Sequence, residues 1–169
     1  SAGARVAKHG GRSVSSLCGA ADEVEALDVA MVLGPEGVAA CVVEASIGFM
    51  YAPRYSPAMA RVRPVRSALG VRTAFNILGP LLNPARAQRA LVGVYDPSAS
   101  ALMAGALARL GVRKALVVHS MGLDELTPMG PADVVEVECA VGDDGNVVGE
   151  PAINPYSLDP LDEGDKRCS

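Results

Sequence analysis

The chain has 169 residues, 50% hydrophobic and 20% charged, a balance that sustains a folded core and excludes wholesale disorder. No window holds the ~18–20 uncharged apolar residues of a membrane span, and no repeat period or low-complexity tract marks a solenoid, a collagen or a coiled coil. The net charge of −4 is uneven: residues 1–90 hold 10 Lys and Arg against 6 Asp and Glu, and residues 91–169 hold 5 against 13. A basic half suits an anionic ligand and an acidic half suits a metal.

Ser1 to His9 carries two cations and no apolar core, so no signal peptide is visible. Val6 to Ser16 reads as a glycine and serine loop. Asp22 is expected to cap a short helix reaching about Leu27, with Glu23 and Glu25 in its first turn. Pro35 fits the first position of a second helix, with Val38, Cys41, Val42 and Ala45 as its buried stripe. Ile47 to Ala52 is a short apolar strand. Ser56-Pro57 opens a third helix that Pro64 is expected to break or kink, and Asn76 to Pro84 reads as irregular loop.

The clearest unit follows. Leu91 to Tyr95 is a strand, Asp96-Pro97 caps a helix with Leu102, Met103, Ala106, Leu107 and Leu110 as its apolar positions, and Gly111 stops it. Lys114 to His119 is a second, continuously apolar strand, which makes a βαβ unit with parallel strands. Val134 to Ala140 is another strand, and Asp143-Asp144-Gly145-Asn146 is a hairpin turn into Val147-Val148. The expected class is α/β, a mostly parallel sheet with flanking helices. The expected division is an α/β domain over 1–150, which the resemblance named below makes part of a catalytic domain, and an irregular acidic tail over 151–169.

Cys18, Cys41, Cys139 and Cys168 form no CxxC pair and no zinc spacing, so they read as reduced thiols. Aromatic residues are 4% and Trp is absent, so no stacking platform for single-stranded nucleic acid is legible.

Two segments carry chemistry. In Lys8, His9, Gly10, Gly11, Arg12, Ser13, Val14, Ser15 and Ser16, glycines let backbone amides approach an anion while cations and hydroxyls supply charge and donors. That composition serves a phosphate or diphosphate. The Gly-Lys-Ser/Thr order of a Walker loop is missing. Asp124 and Glu125 follow the apolar strand that ends at His119, where ligands of parallel sheets gather, and two carboxylates there suit Mg²⁺. Of the cluster Arg54, Arg61, Arg63, Arg66 and Arg72, any one could grip a carboxylate, and composition does not choose which. No Ser/His/Asp or Cys/His arrangement is visible, so no catalytic side chain is assigned beyond positioning and electrostatics.

Several ordered blocks over roughly 1–140 resemble anthranilate phosphoribosyltransferase: the Lys8 to Ser16 loop, Cys18 to Leu27, Ile47 to Pro53, Pro57-Ala58-Met59, Pro64-Val65-Arg66, Arg72 to Leu81, and Gly122 to Glu125. The resemblance implies transfer of the ribosyl carbon of phosphoribosyl pyrophosphate to the amine of anthranilate, with release of pyrophosphate, in tryptophan biosynthesis. It implies a phosphoribosyltransferase or nucleoside-phosphorylase-like catalytic domain, Mg²⁺ as cofactor, and a homodimer when full length. Lys8 to Ser16 and position 20 would then meet phosphoribosyl pyrophosphate. Arg66 would grip the anthranilate carboxylate, Gly79 and Pro80 would wall the aromatic site, and Asp124 and Glu125 would bind magnesium.

Three positions depart from the family pattern: Gly11 replaces an asparagine, Ser56 a histidine and Ala20 a serine. Each lost polar contact costs about 1 kcal/mol. The family's glycine-rich diphosphate loop and helical domain are expected before Ser1, so the chain reads as a fragment, inactive alone. A paralogue with another acceptor, or a non-catalytic phosphate- or nucleic-acid-binding protein, are the alternatives; nucleic acid fits poorly with the acidic pair. No membrane partner is expected. The compartment would be the cytoplasm in a bacterium and the plastid in a plant or alga.

Overall fold

The computed structural model describes residues 3–12, 18–69, 75–142 and 147–161. The chain forms two compact units, Ser1–Ala85 and Arg86–Ser169, a division that differs from the expected boundary at residue 150.

The first unit opens with β1 (Val6–Gly10), which pairs in parallel with β2 (Ile47–Tyr51) from Val6 opposite Ile47 to Gly10 opposite Tyr51. Residues 6–10 are therefore strand and not loop. Parallel neighbours need a long crossover, and here it contains α1 (Ala20–Ala26) and α2 (Pro35–Glu44). Pro35 takes the first helical position, where its missing amide costs nothing. Val38 is buried, whereas Ala45 of the expected stripe is exposed at the helix end. The helix lies close on β2: a Cβ at Gly48 would sit 2.9 Å from the Val38 carbonyl oxygen and 2.7 Å from Val42 Cγ2. Ala21, Met31, Val38 and Met50 form this unit's core.

α3 (Ala52–Tyr55), α4 (Pro57–Leu69) and α5 (Phe75–Leu81) complete it. α4 keeps Pro64 inside one helical segment, so the expected break is not made. α5 corrects the expected loop over Asn76 to Pro84. Pro80 lies inside it, where its missing amide removes one i→i−4 hydrogen bond. Asn83 then turns the chain, accepting the Ala85 amide at 3.0 Å and donating to the Ala7 carbonyl of β1 at 3.1 Å.

The second unit is a four-stranded sheet in the order β3 (Arg89–Gly93), β4 (Lys114–Ser120), β5 (Ala132–Val141), β6 (Val147–Leu158). β3 and β4 are parallel, joined by α6 (Ser100–Arg109), as the βαβ pattern requires. Asp96 accepts the Ser98 amide at 2.9 Å ahead of that helix, and Gly111 follows it with φ +79°. Met103, Ala104 and Leu107 of α6 are buried with Val92, Ala115, Val117 and Val137, while Leu102 and Leu110 are exposed. β4, β5 and β6 are antiparallel neighbours, so the parallel expectation holds for β1–β2 and β3–β4 only.

β6 includes residues 151–158, assigned from sequence to an irregular tail. Pro151 and Pro155 hide its strand character, yet an edge strand pairs on one side and tolerates them. Its Tyr156 and Leu158 pack with Leu116 against Val118, Ala132 and Val134. Val141 pairs with Val147 across the expected hairpin turn, whose residues 143–146 lie outside the described set. Among the described residues no helix is long and apolar enough to cross a membrane.

Candidate functional site

In the first unit the expected residues lie along β1 and just past it. Lys8 is exposed and forms no ion pair among the described residues. Arg12, by contrast, is engaged. Its guanidinium lies 2.9 Å from Asp22 and 2.6 Å from Glu25, both on α1. Hydrogen bonds to Glu25, Asp22 and Tyr51 raise its pKa further above the ordinary arginine value, and Arg12 in turn holds the Glu25 carboxyl below its usual range. Asp22 is not the N-cap expected from sequence. It sits in the first turn and accepts the Gly19 amide at 2.9 Å, with Gly19 as the cap residue.

Around this strand end the structure assembles several of the expected residues. Burial lowers the pKa of His9, and a hydrogen bond with the Gly79 backbone works the other way. His9 Nε2 is buried and makes no hydrogen bond among the described residues. Gly10 faces α1, where a Cβ would lie 3.7 Å from Ala20 Cβ. Among the described residues, a Cβ at Gly11 would meet only Ala52 Cβ, at 3.7 Å. Pro80 is exposed beside Gly79 at the end of α5. Arg66 falls in α4, and its side chain lies outside the described set, as do Ser13, Val14, Ser15 and Ser16. Tyr51 and Asn83, which tie Arg12 and β1 in place, carry no local motif and were not expected from sequence.

In the second unit Asp124 and Glu125 lie just beyond β4. Ser120 and Leu123 exchange backbone hydrogen bonds of 3.1 and 2.8 Å, with Met121 at φ +52° and Gly122 at φ +80° between them. Positive φ at both central residues is the I′ turn, which reverses the chain tightly. The reversed segment crosses the end of β3: a Cβ at Gly93 would overlap the Asp124 carbonyl group and lie 3.1 Å from its Cα. His119 Nδ1 is 2.9 Å from the Val94 carbonyl oxygen, tying the ends of β3 and β4 together. Both carboxylates are exposed, and no third His, Cys, Asp or Glu joins them among the described residues. Two hard oxygen donors with open surroundings fit Mg²⁺, which keeps waters and takes substrate oxygens as its other ligands.

The second unit carries two carboxylates just past the carboxyl end of a parallel strand, and the first carries glycines and a cation along and just past another, the strand ends where ligands of α/β folds gather. The comparisons agree. Residues 1–169 match the family described as the glycosyl transferase family, a/b domain, and the chain belongs to that family. The match extends over 151–169, beyond the blocks recognised in sequence.

The chain is 49% identical over 168 residues to the anthranilate phosphoribosyltransferase of Nitratidesulfovibrio vulgaris, covering 99% of this chain and 48% of that protein. It is similar in structure to the anthranilate phosphoribosyltransferase of Thermus thermophilus, with a TM-score of 0.76 and 46% identity over 92% of this chain and 43% of that one. The Saccharomyces cerevisiae enzyme, solved in complex with phosphoribosyl pyrophosphate and magnesium, gives a TM-score of 0.69 at 32% identity, covering 77% of this chain and 37% of that one. The chain spans about half the length of the curated relatives it matches.

Proposed function

We propose that this chain is the central part of a catalytic domain that transfers the phosphoribosyl group of phosphoribosyl pyrophosphate to anthranilate, releasing pyrophosphate, in tryptophan biosynthesis. The observation that carries the reading is the pairing of family membership with a built acidic turn: Asp124 and Glu125 sit on a reversed segment across the ends of β3 and β4. Exposed Lys8, midway along β1, serves the diphosphate. Departure of that diphosphate leaves positive charge on the sugar and negative charge on the leaving group. Fixed cations aimed at the leaving group lower the barrier, and positioning the amine does the rest.

When bound, Mg²⁺ would supply additional positive charge to the diphosphate, held by Asp124 and Glu125. Neutral His9, with Gly79 and Pro80 beside it, offers a partly apolar wall for the aromatic acceptor, and Arg66 is the proposed partner of its carboxylate. The longer protein is proposed to be a homodimer, cytoplasmic in a bacterium and plastidic in a plant or alga.

Calorimetric titration with phosphoribosyl pyrophosphate tests the reading. Binding that requires Mg²⁺ and is lost in Asp124→Asn/Glu125→Gln supports it. Metal-independent, salt-sensitive binding of DNA in its place contradicts it and favours a polyanion-binding protein.

A further inference from the structure

We infer that Gly93 is a positioning residue for the acidic pair: the segment carrying Asp124 and Glu125 is seated directly on the β3 backbone at a point only glycine can occupy. This rests on the reading of Asp124 and Glu125 as the metal-holding pair. A side chain at position 93 would overlap the carbonyl oxygen and carbon of Asp124. The obstacle is main chain, so no rotamer change relieves it, and the whole segment must lift. Gly130 offers a contrast within the same unit. A Cβ there would lie 2.9 Å from Met121 Sδ, the end of a flexible side chain on an exposed residue that can swing away.

The seat is held from both sides. Val94, next to Gly93, donates its amide to Val118 at 2.9 Å and accepts from the His119 ring at 2.9 Å. The Ser120–Leu123 turn fixes where the segment leaves β4. Position 93 thus sets the height of the two carboxylates above the strand ends, without itself touching any ligand.

Mn²⁺ alone, as a paramagnetic stand-in for Mg²⁺, tests the inference on the full chain by NMR. In the wild type the expected result is selective broadening of the Leu123–Leu126 amides together with Gly93 and Val94. Broadening of 123–126 that leaves Gly93 untouched overturns the seat while sparing the metal reading. No broadening in either segment overturns the metal reading and the seat with it. In Gly93→Ala, Mn²⁺ affinity should fall by about tenfold or more, whereas Gly130→Ala should change it by less than about twofold. Wild-type affinity in a folded Gly93→Ala protein overturns the inference. Should that variant not fold, the wild-type broadening pattern decides alone.

Discussion

His9 and Arg12 stand three residues apart and are tuned in opposite ways, one by burial and one by hydrogen bonds to its neighbours. Burial holds the folded-state pKa of His9 below the ordinary value, so the ring is neutral at pH 7. As pH falls below about 6.5, the unfolded chain takes up a proton that folded His9 resists, and stability declines toward acid. Urea midpoints at about pH 7 and pH 5.5 should therefore differ less in His9→Gln than in the wild type; an equal loss in both would contradict this. Glu25 works in the same direction, at lower pH. Its pKa is depressed by Arg12, so its contribution is present above about pH 4.3 and is lost as pH falls through the lower folded value. The urea midpoints of wild type and Glu25→Gln should differ at neutral pH and converge in strong acid. Gly11 is the residue whose restoration is easiest to test, because among the described residues only Ala52 lies near a Cβ placed there. Gly11→Asn should leave the melting temperature nearly unchanged and, if one hydrogen bond to the acceptor is regained, tighten anthranilate binding by about fivefold. Fluorescence titration of anthranilate measures it. The charges at these positions were legible in the sequence. That Arg12 is already paired was not, because its partners reach it only through the fold of α1 against β1.

At the scale of elements, legibility followed periodicity. The β3–α6–β4 unit was readable because a continuous apolar strand, an Asp-Pro start, helical spacing and a closing glycine all agree. β1 was hidden because its residues also make a plausible phosphate loop, and its strand character comes from pairing with β2, about forty residues on. α5 was hidden by Gly79-Pro80, which reads as a loop signal, and β6 by prolines that a sheet edge tolerates. The Met121-Gly122 turn invites a direct test. A left-handed methionine costs about 1 kcal/mol, and asparagine is favoured there. Met121→Asn should raise the urea midpoint, and a lowered midpoint would show that the Met121 contact with Gly130 outweighs the strain. Met103, fully enclosed on α6, should cost about 2–5 kcal/mol when cut to alanine, measured by chemical denaturation.

For the whole molecule, the uneven charge seen in the sequence falls almost along the boundary between the two units, with Lys8 in the first and the acidic pair in the second. The family assignment covers every residue of the chain, while the chain covers about half of each relative. Ligand binding by this chain tests the activity proposed for the longer protein. The most direct measurement is ³¹P NMR of phosphoribosyl pyrophosphate titrated with the chain in the presence of Mg²⁺. The account predicts that the diphosphate resonances shift with the wild type and that Lys8→Ala and Asp124→Asn each abolish the shift. Unchanged shifts in either variant, or none with the wild type, would contradict it.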